Sequence, residues 1–315
     1  MVDGFGRAVT YLRLSVTDLC NYRCLYCMPE HGVCKRPHDE MLTVEECVEI
    51  VRAAAACGVR KVRITGGEPL VRRGILEICS GVAAVPGIEE LCLTTNGSLL
   101  EEMAAGLKEA GVTRLNVSLD TLRPERFRVL TRRGSLEDVL RGLQAAEKAG
   151  FAGIKLNAVL LGGWNDDEIR DFAALTRQRP WQVRWIELMP LGECADWPGQ
   201  RFLPASAVLE RCPELEPAGT AGVAEVYRLP GAAGTVGLIR PMSHRFCSRC
   251  DRIRVTADGR LKPCLHSAQE IPLKGCGGDE LLRRIRRGIA GKPGRHCLEA
   301  DGCSSAGRNM NEIGG

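Results

Sequence analysis

The sequence predicts an α/β fold: a partial (β/α)6 TIM-like barrel followed by a smaller C-terminal unit. Three observations carry this. Six strand-like segments alternate with helical patterns and short loops, the arrangement of parallel βαβ units. Residues 10–190 supply 181 positions, and six units need roughly 190 when a full barrel of eight takes about 250. Beyond about residue 220 the texture changes to short strands between Gly-, Ala- and Pro-rich turns. A doubly wound open sheet fits the same arithmetic. Either way, ligands gather at the carboxyl ends of the strands.

The six strands are expected at 12–16, 61–65, 91–95, 114–119, 154–160 and 183–189. After Thr43, apolar or small residues fall at Cys47, Ile50, Val51, Ala54 and Ala55, one face of a helix. Thr43 with Glu46 forms a capping box and Gly58 stops the helix. The device recurs as Ser98 with Glu101 (ending at Gly111), Ser135 with Asp138 (ending at Gly150) and Asn165 with Glu168 (closed before Pro180). Later, 223–229 and 235–239 read as strands, 247–264 is cysteine-rich, and 281–289 is a basic helix before a Gly-rich tail. The expected division is 1–220 and 221–315, with no exact internal repeat beyond the βα alternation.

Composition narrows the function. Hydrophobic residues at 44% and charged residues at 26% are ordinary for a globular chain and argue against wholesale disorder. A net charge of +4 is too mild to suggest nucleic acid. No apolar run approaches the ~18 residues of a membrane helix, and the first residues lack a secretory h-region. The expectation is a cytoplasmic protein with no membrane partner. The informative count is 16 Cys in 315 residues, too sparse and in too long a chain for a disulfide scaffold. Clustered cysteines then read first as metal ligands.

Cys20, Cys24 and Cys27 directly follow the first strand. Three thiolates on one loop can hold three irons of a cubane cluster and leave the fourth open, whereas ferredoxin-type carriers supply four cysteines. Zinc prefers paired C-x2-C units with four ligands overall. Cys247, Cys250 and Cys264 form a second trio. Its spacing alone also allows a zinc ribbon completed by His244 or His266; beside the first trio, a second cluster is favoured. Each [4Fe–4S] cluster on three thiolates carries a net charge of about −1. Of the ten other cysteines, Cys47 and Cys92 read as core, and Cys276, Cys297 and Cys303 with His296 make only a weak extra metal site.

The run Cys20-Asn21-Tyr22-Arg23-Cys24-Leu25-Tyr26-Cys27-Met28-Pro29 resembles the radical S-adenosyl-L-methionine (SAM) superfamily, and within it the GTP 3′,8-cyclase family of molybdenum cofactor biosynthesis. The likeness covers nearly the whole chain. It is carried by RITGGEPL (63–70), TTNG (94–97), NVSLDTL (116–122), IKLNAVLLGG (154–163), IELMPLGE (186–193), FCSRCDRIRVTADGRLKPCL (246–265) and Gly314-Gly315. The first trio is superfamily-wide; the second trio, the RIR tripeptide and the glycine pair narrow it to this family. Asp251, where relatives often have Asn, and Leu19, where they often have Arg, depart from the pattern without touching a ligand.

The resemblance implies two [4Fe–4S] clusters, the second in a C-terminal iron–sulfur domain closing the barrel mouth. It implies that the open iron of the first cluster chelates SAM and that one electron cleaves SAM to methionine and a 5′-deoxyadenosyl radical. That radical takes hydrogen from C3′ of GTP, and C3′ bonds to guanine C8. No acid–base dyad is needed. SAM contacts are implied at Tyr26, Gly67, Ser118 and Met189. Small residues in the Gly66-Gly67-Glu68-Pro69 turn let backbone approach the SAM amino group, with Glu68 accepting from it. GTP contacts are implied at Arg13, Arg63, Thr94, Lys155 and Arg252-Ile253-Arg254. Arg184 joins them because it, too, places a cation in an otherwise apolar strand, and a polyanion needs such cations. Arg252 and Arg254 share strand parity and point one way. Gly314 and Gly315 are expected to enter the barrel and organise the site, since they lack side chains and end in a carboxylate. Expected partners are GTP, a flavodoxin- or ferredoxin-type electron donor and the downstream cyclic pyranopterin monophosphate synthase, with the chain a monomer or homodimer. Two alternatives stay open: another radical SAM enzyme with an auxiliary cluster, of the peptide-maturase type, or a non-enzymatic iron–sulfur or zinc protein.

Overall fold

The computed structural model describes residues 1–195, 197–296, 298 and 304–314. In chain order the first part runs β1 (Tyr11–Ser15), α1 (Val44–Ala56), β2 (Lys61–Thr65), α2 (Ile75–Ala83), β3 (Glu90–Thr95), α3 (Leu100–Glu109) and β4 (Arg114–Ser118). It continues through α4 (Pro124–Thr131), α5 (Leu136–Lys148), β5 (Lys155–Leu160), α6 (Ile169–Ala174), β6 (Gln182–Glu187), α7 (Pro198–Arg201) and α8 (Ala207–Arg211). All six expected strands form, each within two residues of its expected bounds, and they pair in parallel in chain order. Strand alternation sorts the faces. Val62 and Ile64 of β2 join the apolar core, as do Ile78 of α2, Leu107 of α3 and Leu143 of α5, while Lys61, Arg63 and Thr65 fall on the opposite face.

The C-terminal stretch contributes β7 (Glu216–Ala221), β8 (Ala224–Arg228), β9 (Thr235–Ile239), β10 (Arg252–Val255), β11 (Arg260–Lys262), β12 (Ile271–Pro272), α9 (Gly278–Ala290) and α10 (Met310–Ile313). These strands do not form a sheet of their own. β10 pairs in parallel with β1, and β9 pairs in parallel with β6. The sheet order is β12-β11-β10-β1-β2-β3-β4-β5-β6-β9-β8-β7. Eight consecutive strands are therefore parallel, with the antiparallel pairs β11-β12 and β8-β7 at the two rims.

The helix caps depart from expectation. Thr43 and Glu46 make the full capping box. Ser98 does not cap α3; its hydroxyl donates to Asn96 Oδ1 and accepts from Asn21 Nδ2, because the cysteine loop competes for it. Ser135 stands at the N-cap of α5 without a side-chain bond. Asn165 instead ties Leu161 N, Asp120 O and Val159 O together, and Glu168 is buried against Thr121 and Arg126. Cys47 packs in the apolar core. Cys92 is buried too, but its thiol donates to Glu90 on the inner face (2.9 Å) rather than packing among apolar groups. Among the described residues no helix is long and apolar enough to cross a membrane.

Candidate active site

Register brings the inner-face cations together. Arg13 of β1 stands beside Arg63 of β2 on one side and Arg254 of β10 on the other. Two residues toward the amino ends of the strands, on the same face, Tyr11 stands between Lys61 and Arg252 in the same way. Lys155 and Arg184 continue the cationic wall from β5 and β6. Like charges on neighbouring strands repel, and burial makes them costlier. The titration behaviour records this. Burial, then the nearby Arg254, holds Arg13 well below the usual guanidinium range. Burial and Arg252 bring Arg254 down to about 10, and burial and Arg63 do the same to Arg184. Burial and Arg184 push Lys155 down to about 7. Burial raises the Tyr11 phenol, but Arg63, Arg13 and Arg252 outweigh it and the net shift is downward. Such a wall suits a polyanion.

These groups line one cavity of about 710 Å³ that both cysteine trios also face. Cys20, Cys24 and Cys27 lie on the loop after β1. Arg23 N and Leu25 N donate to the carbonyls of Thr131 and Leu130, pinning that loop to the end of α4 (2.9 Å each). Arg132 has a positive φ of 60°, and its guanidinium reaches Arg23 O and Met28 O (3.1 and 3.4 Å). It is the single non-glycine residue with positive φ among those described, so strain is tolerated where it fastens the cysteine loop. Tyr26 donates to Asp120 Oδ2 (2.7 Å), and Asp120 Oδ1 accepts from Val159 N (2.8 Å). Burial lifts Asp120 to about 6.

The structure sorts the expected contacts. Tyr26, Gly67, Ser118 and Met189 line the cavity, and so do Arg13, Arg63, Thr94, Lys155, Arg184, Arg252 and Arg254. Glu68 does not line it. Its carboxylate, buried and lifted to about 7 by desolvation, accepts from Leu70 N, Thr95 Oγ1 and Asn96 N, so it fastens the ends of β2 and β3. Gly67 serves packing first. Gly67 N and Glu68 N donate to Thr17 O and Leu19 O, and a Cβ on Gly67 would stand 2.7 Å from Asp18 O. Ile253 points into the apolar core, the opposite side from its two arginine neighbours. Gly314 O accepts from Arg254 Nη1 (2.6 Å), and a Cβ there would meet Ser15 and Thr65. Gly315, Cys297 and Cys303 lie outside the described residues.

Sequence reasoning missed Tyr11, Lys61, Arg114, Asn116, Asn157, Asp120 and Lys292, all lining the cavity. Strand parity could have found the first five; nothing local marks Lys292. Asp251, one of the departures, receives Thr10 N and Tyr11 N on its carbonyl (3.2 Å each) and is among the residues lining the cavity.

The donor sets suit iron–sulfur clusters. Thiolate is the ligand such clusters take, and all six cysteines of the two trios line the shared cavity. Burial, then Glu68, pushes the Cys20 thiol up to about 11, and burial and Cys20 push Cys27 to about 12. Loading the first trio therefore expels protons. Burial raises Cys250, but Lys292 and Arg252 outweigh it and leave it lowered. Among the described residues no three His, Cys, Asp or Glu side chains meet at a single-ion position.

A parallel barrel sheet with a three-thiol loop after its first strand defines the radical SAM class of α/β proteins. The Radical SAM superfamily matches residues 14–176, and Molybdenum Cofactor Synthesis C matches 181–298. The chain is 48% identical over 320 residues to the GTP 3′,8-cyclase of Alkaliphilus metalliredigens and 49% identical over 328 residues to that of Pelotomaculum thermopropionicum, each match covering 100% of both chains. Among solved structures, Streptococcus suis SuiB shares the fold (TM-score 0.57, 13% identity, 87% of this chain and 64% of that one). The chain belongs to the GTP 3′,8-cyclase family of the radical SAM superfamily.

Proposed function

We infer that this enzyme is a GTP 3′,8-cyclase, a radical SAM lyase with two [4Fe–4S] clusters. It converts GTP to (8S)-3′,8-cyclo-7,8-dihydroguanosine 5′-triphosphate, the first step of molybdenum cofactor biosynthesis. The carrying observation is that two cysteine trios and a wall of buried and half-buried cations share one cavity. When bound, the first cluster with SAM supplies the 5′-deoxyadenosyl radical. The chain's residues do the rest. Cys20, Cys24 and Cys27 hold that cluster; Cys247, Cys250 and Cys264 hold the second. Tyr26, Gly67, Ser118 and Met189 seat SAM. Arg13, Arg63, Thr94, Lys155, Arg184, Arg252 and Arg254 hold GTP, their charge answering its triphosphate. Glu68 acts behind this layer by fixing the loop.

Residues 1–220 form the SAM-binding barrel unit, and 221–315 the unit that carries the second cluster and the tail. A low-potential one-electron donor of flavodoxin or ferredoxin type is the partner that reductive cleavage requires. The product passes to the cyclic pyranopterin monophosphate synthase. The setting is cytoplasmic, where thiols stay reduced, and the chain acts as monomer or homodimer.

The test is anaerobically reconstituted protein given SAM, dithionite and GTP. 5′-Deoxyadenosine and a cyclised nucleotide are expected together. Cys24→Ala abolishes SAM cleavage, and Cys264→Ala keeps some cleavage but loses cyclisation. SAM cleavage with no nucleotide product in the intact protein overturns the assignment, and stoichiometric zinc at the second trio overturns the two-cluster reading.

A further inference from the structure

Lys292 sits in the turn after α9, far in sequence from both trios, and is only 3% exposed. Its ammonium donates to Arg252 O (2.8 Å), Pro263 O (3.1 Å) and Cys250 Sγ (3.4 Å). One acceptor lies two residues beyond Cys250 and another directly precedes Cys264. A single cation therefore clips together the two chain segments that carry the second trio. Burying an ammonium is costly unless an anion answers it. Among the described residues no carboxylate pairs with it; its one partner able to carry negative charge is the Cys250 sulfur. Arg7 holds the turn from outside, donating to Pro293 O (2.7 Å) and Gly294 O (3.2 Å). The lysine is thus aimed at the sulfur by a turn that is itself fastened.

We propose that Lys292 is the resident counter-cation of the second cluster, setting its reduction potential through charge and an N–H···S hydrogen bond and so acting as a positioning residue. This rests on the two-cluster reading above. Net charge and hydrogen bonds to cluster sulfurs are established levers on such potentials. A cation beside the thiolates favours the reduced, more negative form, so it raises the midpoint. Lys292 then keeps the second cluster reducible.

The experiment compares anaerobically reconstituted full-length protein with its Lys292→Gln and Lys292→Arg variants. Iron content and EPR-monitored redox titration of both clusters are the readouts. In Lys292→Gln, about eight irons per chain are retained, the second cluster's midpoint falls and the first cluster's does not move. In Lys292→Arg the charge survives and the midpoint stays nearer the wild-type value. Loss of the second cluster in the Gln variant with retention in the Arg variant also supports the proposal. An unchanged midpoint in Lys292→Gln overturns it, including where GTP affinity alone has changed, which makes Lys292 a substrate contact. Loss of the cluster in both variants overturns it by reducing Lys292 to a packing role. Wild-type protein with only about four irons and one signal overturns the two-cluster reading itself, and this proposal with it.

Discussion

At the scale of single residues, the site is a problem of like charges crowded together, buried or half-buried, on neighbouring strands. Arg252 and Arg254 face the cavity from one short strand, and Arg254 also holds Gly314 O. Replacing either with Ala is expected to weaken GTP binding by about 1.5–3 kcal/mol, the worth of a hydrogen bond to a charged group, or about 10–150-fold. Calorimetric titration of GTP checks this, with cluster content and SAM binding unaffected; unchanged affinity in both variants makes these arginines structural. Lys155 gives a pH signature. In the free protein, burial and Arg184 bring it down to about 7. A bound polyanion favours the charged form and raises that value. The complex therefore gains its full benefit below about pH 7 and loses it as pH rises through the raised value, with proton uptake on binding above about pH 7. Calorimetry in buffers of different ionisation enthalpy measures the uptake, and Lys155→Arg removes it. Binding with no proton uptake at pH 8 refutes the role.

At the scale of elements, legibility followed periodicity. The six inner strands were readable because Val62 and Ile64, or Leu156 and Ala158, alternate with polar positions. β10 was legible only through the shared parity of Arg252 and Arg254, since its alternate residues are arginines rather than apolar, and β7 was hidden because Pro217 and Gly219 flank a register shift. Caps were legible where the capping hydroxyl stayed local: Thr43 capped, while Ser98 and Asn165 were claimed by the cysteine loop and by β5. The N-terminal arm gave no signal at all, yet it grips the second trio. Arg7, buried, donates to Asp3 Oδ2 (2.6 Å) and to Cys247 O (2.7 Å), as well as to the turn that presents Lys292. Arg7→Gln strands a buried carboxylate and several carbonyls, a change of the kind that costs about 3–5 kcal/mol. The expected outcome is selective loss of the second cluster, with iron falling from about eight to about four per chain and SAM cleavage retained. Full iron loading in Arg7→Gln removes the arm from any part in that site.

At the scale of the whole molecule, the two ends of the chain close on its middle. β9 and β10 extend the parallel sheet on opposite flanks, so the C-terminal stretch reaches the cavity from both sides. The tail then returns to the barrel mouth through a series of anchors. Arg308 pairs with Asp258 (2.9 Å) and Glu270 (2.7 Å). Asn309 and Glu312 form a capping box around the final turn. Glu312 also pairs with Arg36, which pairs with Asp18 at the entrance to the cysteine loop. Asn311 Nδ2 donates to Asp18 O (3.0 Å). Gly314 arrives with left-handed φ of 83°, where a side chain would be strained and would strike Thr65 and Ser15. A frayed end, the usual fate of a terminus, has no use for such fastening. Deleting Gly314 and Gly315 removes the acceptor of Arg254 while leaving the anchors at 308–312 in place. Iron content and fold are therefore expected to survive, and GTP cyclisation to fall by orders of magnitude. A C-terminal tag is expected to have the same effect. A synthetic peptide of residues 309–315, added at high concentration to protein lacking that segment, restores part of the activity. Full turnover by the protein lacking both glycines refutes the role and leaves the Arg254 contact as mere anchoring.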